Sequence, residues 1–205
     1  MSAPVHPGLN LGPVHGTAHD QAEIAVFGFW VFIMSDVITF GMVFATYATM
    51  RHALAGGPGP ADLFDLTSVA LQTTLLLTSS LTFGFASLAM KHRPDRSRLV
   101  VWLILTALLG LGFLGLELHD FADMAAQGAT PQRSGWLSSF YALVGLHGLH
   151  VTAGLIWIGV MLWQVQAVGL TNAVKTRILR LGLYWHFLDI IWIGIFSTVF
   201  LGGVA

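Results

Sequence analysis

The sequence has no cysteine, and only 9% of its 205 residues are Asp, Glu, Lys or Arg. Without cysteine the chain can form neither a disulfide nor a thiolate metal site. A soluble domain carries about 25% charged residues, so a charged fraction this low excludes a surface that mostly faces water. The formal net charge of −1 gives no electrostatic basis for binding nucleic acid.

The N-terminal segment, residues 1–23, lacks Lys, Arg and any apolar run, and it is rich in Pro, Gly and His. A secretory signal needs a basic start followed by an apolar stretch, so this segment does not fit one. Its composition predicts a disordered tail.

Long apolar runs dominate the rest of the chain. A helix needs about 20 apolar residues, at a rise of about 1.5 Å each, to cross a bilayer. Five runs reach that length, and polar connections containing Gly or Pro separate most of them. The pattern predicts an all-α polytopic membrane protein whose single domain covers residues 24–205. The five predicted spans are residues 27–50, 66–90, 99–118, 137–163 and 181–204.

The nine Lys and Arg residues predict the orientation. Seven of them lie in the connections between spans two and three and between spans four and five. Only Arg51 and Arg133 lie on the other side. The positive-inside rule therefore predicts a cytoplasmic N-terminus and an external C-terminus.

Ionisable side chains inside the predicted spans are the candidate functional residues. Each is costly in hydrocarbon and needs a partner or a polar cavity, so each is a functional hypothesis. The candidates are Asp36 in span one, Glu117 in span three, His147 and His150 in span four, and His186 and Asp189 in span five.

Five of these candidates are predicted to lie in one layer. Counting about 1.5 Å per residue from the predicted span ends places Asp36, His147, His150 and Asp189 about 10–15 Å from the cytoplasmic edge. His186 precedes Asp189 by three residues, as His147 precedes His150, so each pair shares one helix face. We expect these five residues to form a polar seam between helices.

Three interpretations of the seam remain open. The groups could hydrogen-bond across helices or hold a lipid headgroup, relay protons, or ligate a metal or heme. Glu117 is predicted to stand apart near the outer interface, where with Asp120 and Asp123 it could simply face water.

Two segments resemble the subunit III family of the heme-copper respiratory oxidases. Residues 140–154 are similar to its G-x-H-G-x-H-V helix, and residues 184–192 to its Y-W-H-F-x-D-x-x-W helix. Residues 27–36, followed by Phe44-Ala-Thr-Tyr47, resemble the first helix of the bo-type ubiquinol oxidase branch. That branch also resembles this chain in having five helices, whereas the mitochondrial-type subunit has seven.

The resemblance implies a chain without heme or copper, in a bacterial inner membrane. Quinol oxidation, oxygen reduction and proton pumping would take place in neighbouring subunits, with the heme and copper in subunit I. This chain would pack against subunit I, in one complex with subunits II and IV. It would bind phospholipid and support assembly and sustained proton uptake. The residues expected to do so are the seam residues together with Trp185, which lies in the second motif.

Other classes of function are also compatible with the sequence. Five-helix relatives occur in some cytochrome c oxidases and beside nitric-oxide reductases. A stand-alone proton transporter would use the same His and Asp residues as its path. A heme-b membrane anchor would need facing histidines on two helices, for which His150 and His186 are the candidates.

Overall fold

The computed structural model of the protein describes residues 17–92 and 95–204. Within these ranges all regular structure is helical, and no strand occurs. Five helices are long and apolar enough to cross a membrane. This confirms the predicted all-α fold with five spans. The long helices are α1 (Thr17–Met50), α2 (Leu66–His92), α3 (Arg96–Ala126), α4 (Gly135–Ala167) and α5 (Asn172–Ile195).

Several helices extend beyond the apolar runs that predicted them. α1 begins at Thr17, so residues 17–23 of the predicted tail are helical, whereas residues 1–16 lie outside the described residues. α3 ends at Ala126, eight residues after the predicted end, and α5 begins at Asn172, nine residues before the predicted start. An apolar run marks only the part of a helix suited to hydrocarbon, whereas capping and turn residues determine where the helix ends.

Local side-chain chemistry fixes these ends. Asp95 accepts hydrogen bonds from two backbone N–H groups in the first turn of α3. Ser134 and Thr171 each accept one such bond at the starts of α4 and α5. Each cap satisfies amides that have no partner within the helix. After α3 and α4 the chain turns at Gly128 and Gly169, whose φ angles of 77° and 80° favour glycine.

The bundle is organised around α4 and α5, which pack against each other. α1 lies against both of them on one side, while α2 and α3 form a tight antiparallel pair on the other. α3 contacts α4, and α2 contacts α5. α1 buries the least of its surface: Phe27, Ile38 and Met42 are all about two-thirds exposed, which suits a helix that faces lipid.

The two ends of the bundle differ in charge. At one end, where α2 joins α3 and α4 joins α5, Arg96 Nη2 donates to the Gln166 backbone carbonyl at 2.8 Å. We call this the basic end, because these two connections and the helix turns next to them hold seven of the nine Lys and Arg residues. The opposite, acidic end carries the short helix Pro60–Leu63, the 3-10 turn Pro131–Arg133 and the π-helical turn Phe196–Leu201 that extends α5.

Candidate functional site

Asp36 and His150 meet between α1 and α4. Asp36 Oδ2 lies 3.9 Å from His150 Nε2, and both side chains are about one-fifth exposed. The other ring nitrogen of His150, Nδ1, lies 2.8 Å from the Leu146 carbonyl of its own helix. A carbonyl oxygen only accepts hydrogen bonds, so Nδ1 carries a proton and donates. The other ring nitrogen, Nε2, is the atom that points towards Asp36.

His186 and Asp189 form a second pair, on α5 facing α2. His186 Nδ1 is hydrogen-bonded with Ser80 Oγ at 2.7 Å and lies 3.6 Å from Asp189 Oδ2. The Asp189 side chain is only 8% exposed, whereas that of His186 is 46% exposed. The pair thus has one buried member and one at the surface of the bundle.

His147 is fully buried and belongs to neither pair. Its Nε2 donates to the Leu188 backbone carbonyl on α5 at 3.3 Å. The imidazole packs edge-on against Phe113, with centroids 5.6 Å apart, and lies 5.1 Å from the Trp192 ring. His147 therefore joins α4 to the backbone of α5 within an aromatic core.

Two tryptophans of α5 are tied to hydroxyl groups on α2. Trp185 Nε1 donates to Ser79 Oγ, and Trp192 Nε1 donates to Thr73 Oγ1, each at 3.0 Å. These indoles are almost fully buried. A buried indole N–H needs an acceptor, and the α2 hydroxyls supply one at each of these two positions on α5.

The predicted seam is therefore divided between different helix interfaces. Asp36 and His150 lie between α1 and α4, whereas His186 and Asp189 face α2. Among the described residues, no hydrogen bond or ion pair links one pair to the other. Asp36 lies midway between Ala22 and Met50 in the first span. His150 and Asp189 also lie near the middles of their spans, so the polar groups are closer to mid-helix than to the basic end.

Glu117 does not face water. It is 3% exposed, and its carboxylate lies against Gly148 on α4, where a Cβ would collide with it. Its Oε2 has no hydrogen-bond partner among the described residues. The expectation that Glu117 faces water at an interface is corrected by its burial, because α3 continues to Ala126 and packs this turn against α4.

A polar contact between α2 and α3 was missed by the sequence analysis. Gln72 Nε2 donates to Asp120 Oδ2 at 2.6 Å, and Ser68 Oγ donates to the same carboxylate at 3.0 Å. Gln72 is 2% exposed. The sequence did contain a signal for it: Gln72 is the one carboxamide side chain of the second span and lies one helical turn after Ser68.

The histidines do not form an evident metal or heme pair. His150 contacts α1, whereas His186 contacts Ser80 on α2, so the two candidate ligands of a heme anchor face different helices. Across residues 17–92 and 95–204, no three His, Asp or Glu side chains are gathered in a way that could hold a metal ion.

Comparison with known proteins gives consistent matches along nearly the whole chain. Residues 14–204 match the family described as Cytochrome c oxidase subunit III. The chain is 49% identical over 186 residues to Cytochrome bo(3) ubiquinol oxidase subunit 3 of Pseudomonas putida, covering 91% of this chain and 89% of the relative.

Two further relatives extend this result. The Pseudomonas aeruginosa protein of the same name is 47% identical over 193 residues, covering 94% of this chain and 92% of the relative. Quinol oxidase subunit 3 of Bacillus subtilis is 40% identical over 186 residues, covering 91% of each chain. The chain is thus similar to quinol oxidase subunits from two distinct bacterial genera.

Proposed function

This chain belongs to the cytochrome c oxidase subunit III family, and from that premise we propose that it is the third subunit of a bacterial quinol oxidase. The observation that carries the proposal is its 40–49% identity, over about nine-tenths of its length, to subunits whose names specify quinol. In such a complex, quinol oxidation and oxygen reduction take place in other subunits. This chain contributes assembly, lipid binding and sustained proton uptake.

The proposed structural role is supported by the polar contacts between helices. Ser79, Thr73 and the Leu188 carbonyl each accept a hydrogen bond from a buried ring on another helix. In lipid there is no water to replace such a partner, so each contact favours one helix arrangement. We propose that they hold the bundle in the shape that docks onto subunit I and binds phospholipid, within a complex that also contains subunits II and IV.

The proposed role in proton uptake is supported by Asp36 and His150. His150 Nδ1 donates to the Leu146 carbonyl, so a neutral imidazole would present only the lone pair of Nε2 to Asp36. An ionised carboxylate is also only an acceptor. The contact is attractive only when a further proton resides on one of the two groups. We propose that the pair holds that proton and exchanges it with the surroundings.

The proposed setting is the bacterial inner membrane, with the basic end in the cytoplasm. The concentration of Lys and Arg at that end of the bundle supports this orientation. A cysteine introduced at Gln127, on the acidic end, should then react with an impermeant thiol reagent added outside intact spheroplasts. A cysteine at Asn172, on the basic end, should react only after lysis. The opposite pattern would reverse the orientation.

Purification of the native assembly through a tag on this chain tests the principal proposal. We expect the catalytic subunit to co-purify with its heme, and the assembly to consume oxygen with a reduced quinol as donor. Activity with reduced cytochrome c and none with quinol would favour the cytochrome c branch of the family instead. Recovery of the chain without any heme-containing partner would contradict the subunit assignment.

A stand-alone proton transporter remains the alternative from another class, since His and Asp side chains occupy mid-helix positions. The full chain reconstituted alone in liposomes distinguishes the two. We expect no proton flux above that of empty liposomes under an imposed pH gradient. A flux that Asp36→Asn abolishes would support the transporter.

A further inference from the structure

A cavity of about 570 Å³ opens at the acidic end of the bundle. Its walls come from the start of α2, the end of α3, the first turns of α4 and Phe200 in the π-helical turn. Volumes of about 300–1,000 Å³ are typical of pockets that bind small molecules. None of the residues discussed as the polar seam lines it, so it is a separate feature of the fold.

The walls of this cavity are acidic. Asp65, Glu117, Asp120 and Asp123 all line it, and none of its described lining residues is Lys or Arg. Among the described lining residues, the only group that can carry positive charge is His119, whose Nδ1 lies 3.3 Å from Asp123. A concave surface with several carboxylates and apolar walls attracts cations.

Three of the four carboxylates already have partners. Asp120 accepts from Gln72, as described above. Asp65 accepts from the backbone N–H of Thr67 at 2.9 Å, and Asp123 faces His119. These three carboxylates thus each have a partner within the protein, and they add negative charge to the cavity wall.

Glu117 is the exception. It is 97% buried, lines the cavity, and has an Oε2 atom with no partner among the described residues. Behind it, the backbone of α4 at Gly148 leaves no space, since even a Cβ there would overlap the carboxylate. A buried carboxylate oxygen without a donor costs free energy. Because Glu117 is part of the cavity wall, a cation in the cavity would supply such a donor.

Aromatic rings complete the walls. Phe64, Phe121, Phe140 and Phe200 line the cavity together with the carboxylates. A ring face attracts an organic cation within about 6 Å of its centroid, and ammonium ligands are commonly held by aromatic residues in this way. The combination of a buried carboxylate and several rings suits a cation that also carries apolar groups.

We propose that this cavity binds the ammonium group of an amphiphilic organic cation, with Glu117 as its counter-ion and the phenylalanine rings around its apolar part. A bare divalent cation fits less well, because calcium needs six to eight oxygen ligands and the described carboxylates do not converge on one point. Two sources share this chemistry: the ethanolamine headgroup of a phospholipid, and a free long-chain amine.

Binding of dodecylammonium to the full chain in its purified complex tests the proposal. Native mass spectrometry and titration should show one saturable site per chain, with dodecanol, the neutral analogue, binding at least tenfold more weakly. Glu117→Gln should weaken dodecylammonium binding at least tenfold. Asp95→Asn, which removes a charge at the basic end while keeping a capping oxygen, should leave the Kd unchanged.

Three results of these measurements would overturn the proposal. Equal binding of dodecanol and dodecylammonium to the unmodified protein would overturn the proposal, and this comparison holds even if Glu117→Gln fails to fold. A folded Glu117→Gln variant with an unchanged Kd would overturn it as well. Failure of dodecylammonium to bind to the folded, unmodified protein would overturn it too.

The source of the ammonium group is then distinguished in lipid nanodiscs. If the natural ligand is a headgroup, phosphatidylethanolamine should remain bound after detergent washing and compete with dodecylammonium, whereas phosphatidylglycerol should not. If it is a free amine, neither lipid should compete, and dodecylammonium should bind in both lipids with the Kd that it has in detergent. Either pattern supports an ammonium site. Competition by phosphatidylglycerol as strong as that by phosphatidylethanolamine would contradict it.

Discussion

Trp185 Nε1 donates a 3.0 Å hydrogen bond to Ser79 Oγ, joining α5 to α2 in the interior of the bundle. Ser79 in turn donates to the Leu76 carbonyl of its own helix, so one hydroxyl serves both as donor and as acceptor. Both side chains are almost fully buried. This contact fixes the rotation of α5 relative to α2.

Ser79→Ala should lower the free energy of unfolding by about 1 kcal/mol, the order found for hydrogen bonds between membrane helices. The cause is the indole N–H left without an acceptor. Unfolding of the full chain in mixed micelles of increasing dodecyl sulfate content measures the change. Thr78→Ala is the matched control, because Thr78 is exposed and bonds only to the Thr74 carbonyl of its own helix. Equal effects of the two substitutions would contradict a role for the Trp185 contact.

Gly154→Ala should destabilise the protein by about 1–3 kcal/mol, the usual cost of overpacking. A Cβ at Gly154 would lie 2.9 Å from Cζ3 of Trp185 and 3.2 Å from Cε1 of Tyr184. These rings are held by hydrogen bonds and cannot easily retreat. Gly159→Ala provides the control on the same helix, since nothing lies within 4 Å of a Cβ there. The same unfolding assay should show little change for it, and a comparable loss at both glycines would rule out this packing explanation.

Asp189→Ala should reduce the amount of this chain recovered with its complex more than the turnover of each intact complex. Without Asp189, the His186 imidazole loses the acidic neighbour 3.6 Å away. Subunit stoichiometry after affinity purification, together with oxygen uptake per heme, measures both quantities. Thr198→Ala is a suitable control on the following turns, because its hydroxyl bonds only within the helix. Normal stoichiometry with abolished turnover would instead indicate a direct part in catalysis.

Gln72→Leu should cost about 1–3 kcal/mol of stability, because Asp120 loses its shortest hydrogen bond and keeps only Ser68 as a side-chain donor. Gln72→Glu should cost more, since it places a second acidic group beside Asp120. Asp120→Asn keeps an oxygen that accepts from Gln72 and should cost less than either. Thermal unfolding in detergent at neutral pH gives the order. A different order would mean that the contact does not stabilise the α2–α3 pair.

The fold was largely predictable because lipid restricts backbone structure so strongly. Five apolar runs of sufficient length specify five helices, and the observed helices contain the predicted ones almost entirely. The ends were less predictable. Polar residues extend α3 to Ala126 and α5 back to Asn172. A hydropathy pattern does not detect these parts of the helices, because they lie beyond the apolar runs.

Side-chain pairing within one helix also followed from the sequence. The i, i+3 spacing predicted that His186 and Asp189 share a face, and they lie 3.6 Å apart. The partners on other helices did not follow, because spacing gives no information about which helices are neighbours. Ser80 as the partner of His186, and α1 as the partner of His150, depend on how the five helices are arranged.

The sequence by itself determined that this protein is a five-helix membrane bundle with ionisable groups inside its spans, since hydrophobicity, helical periodicity and the distribution of Lys and Arg are local properties. Only the tertiary structure decided that Glu117 is buried against Gly148 and lines an acidic cavity. The physical reason is that burial depends on the packing of α3 against α4, a contact between segments about 30 residues apart along the chain that no local pattern encodes.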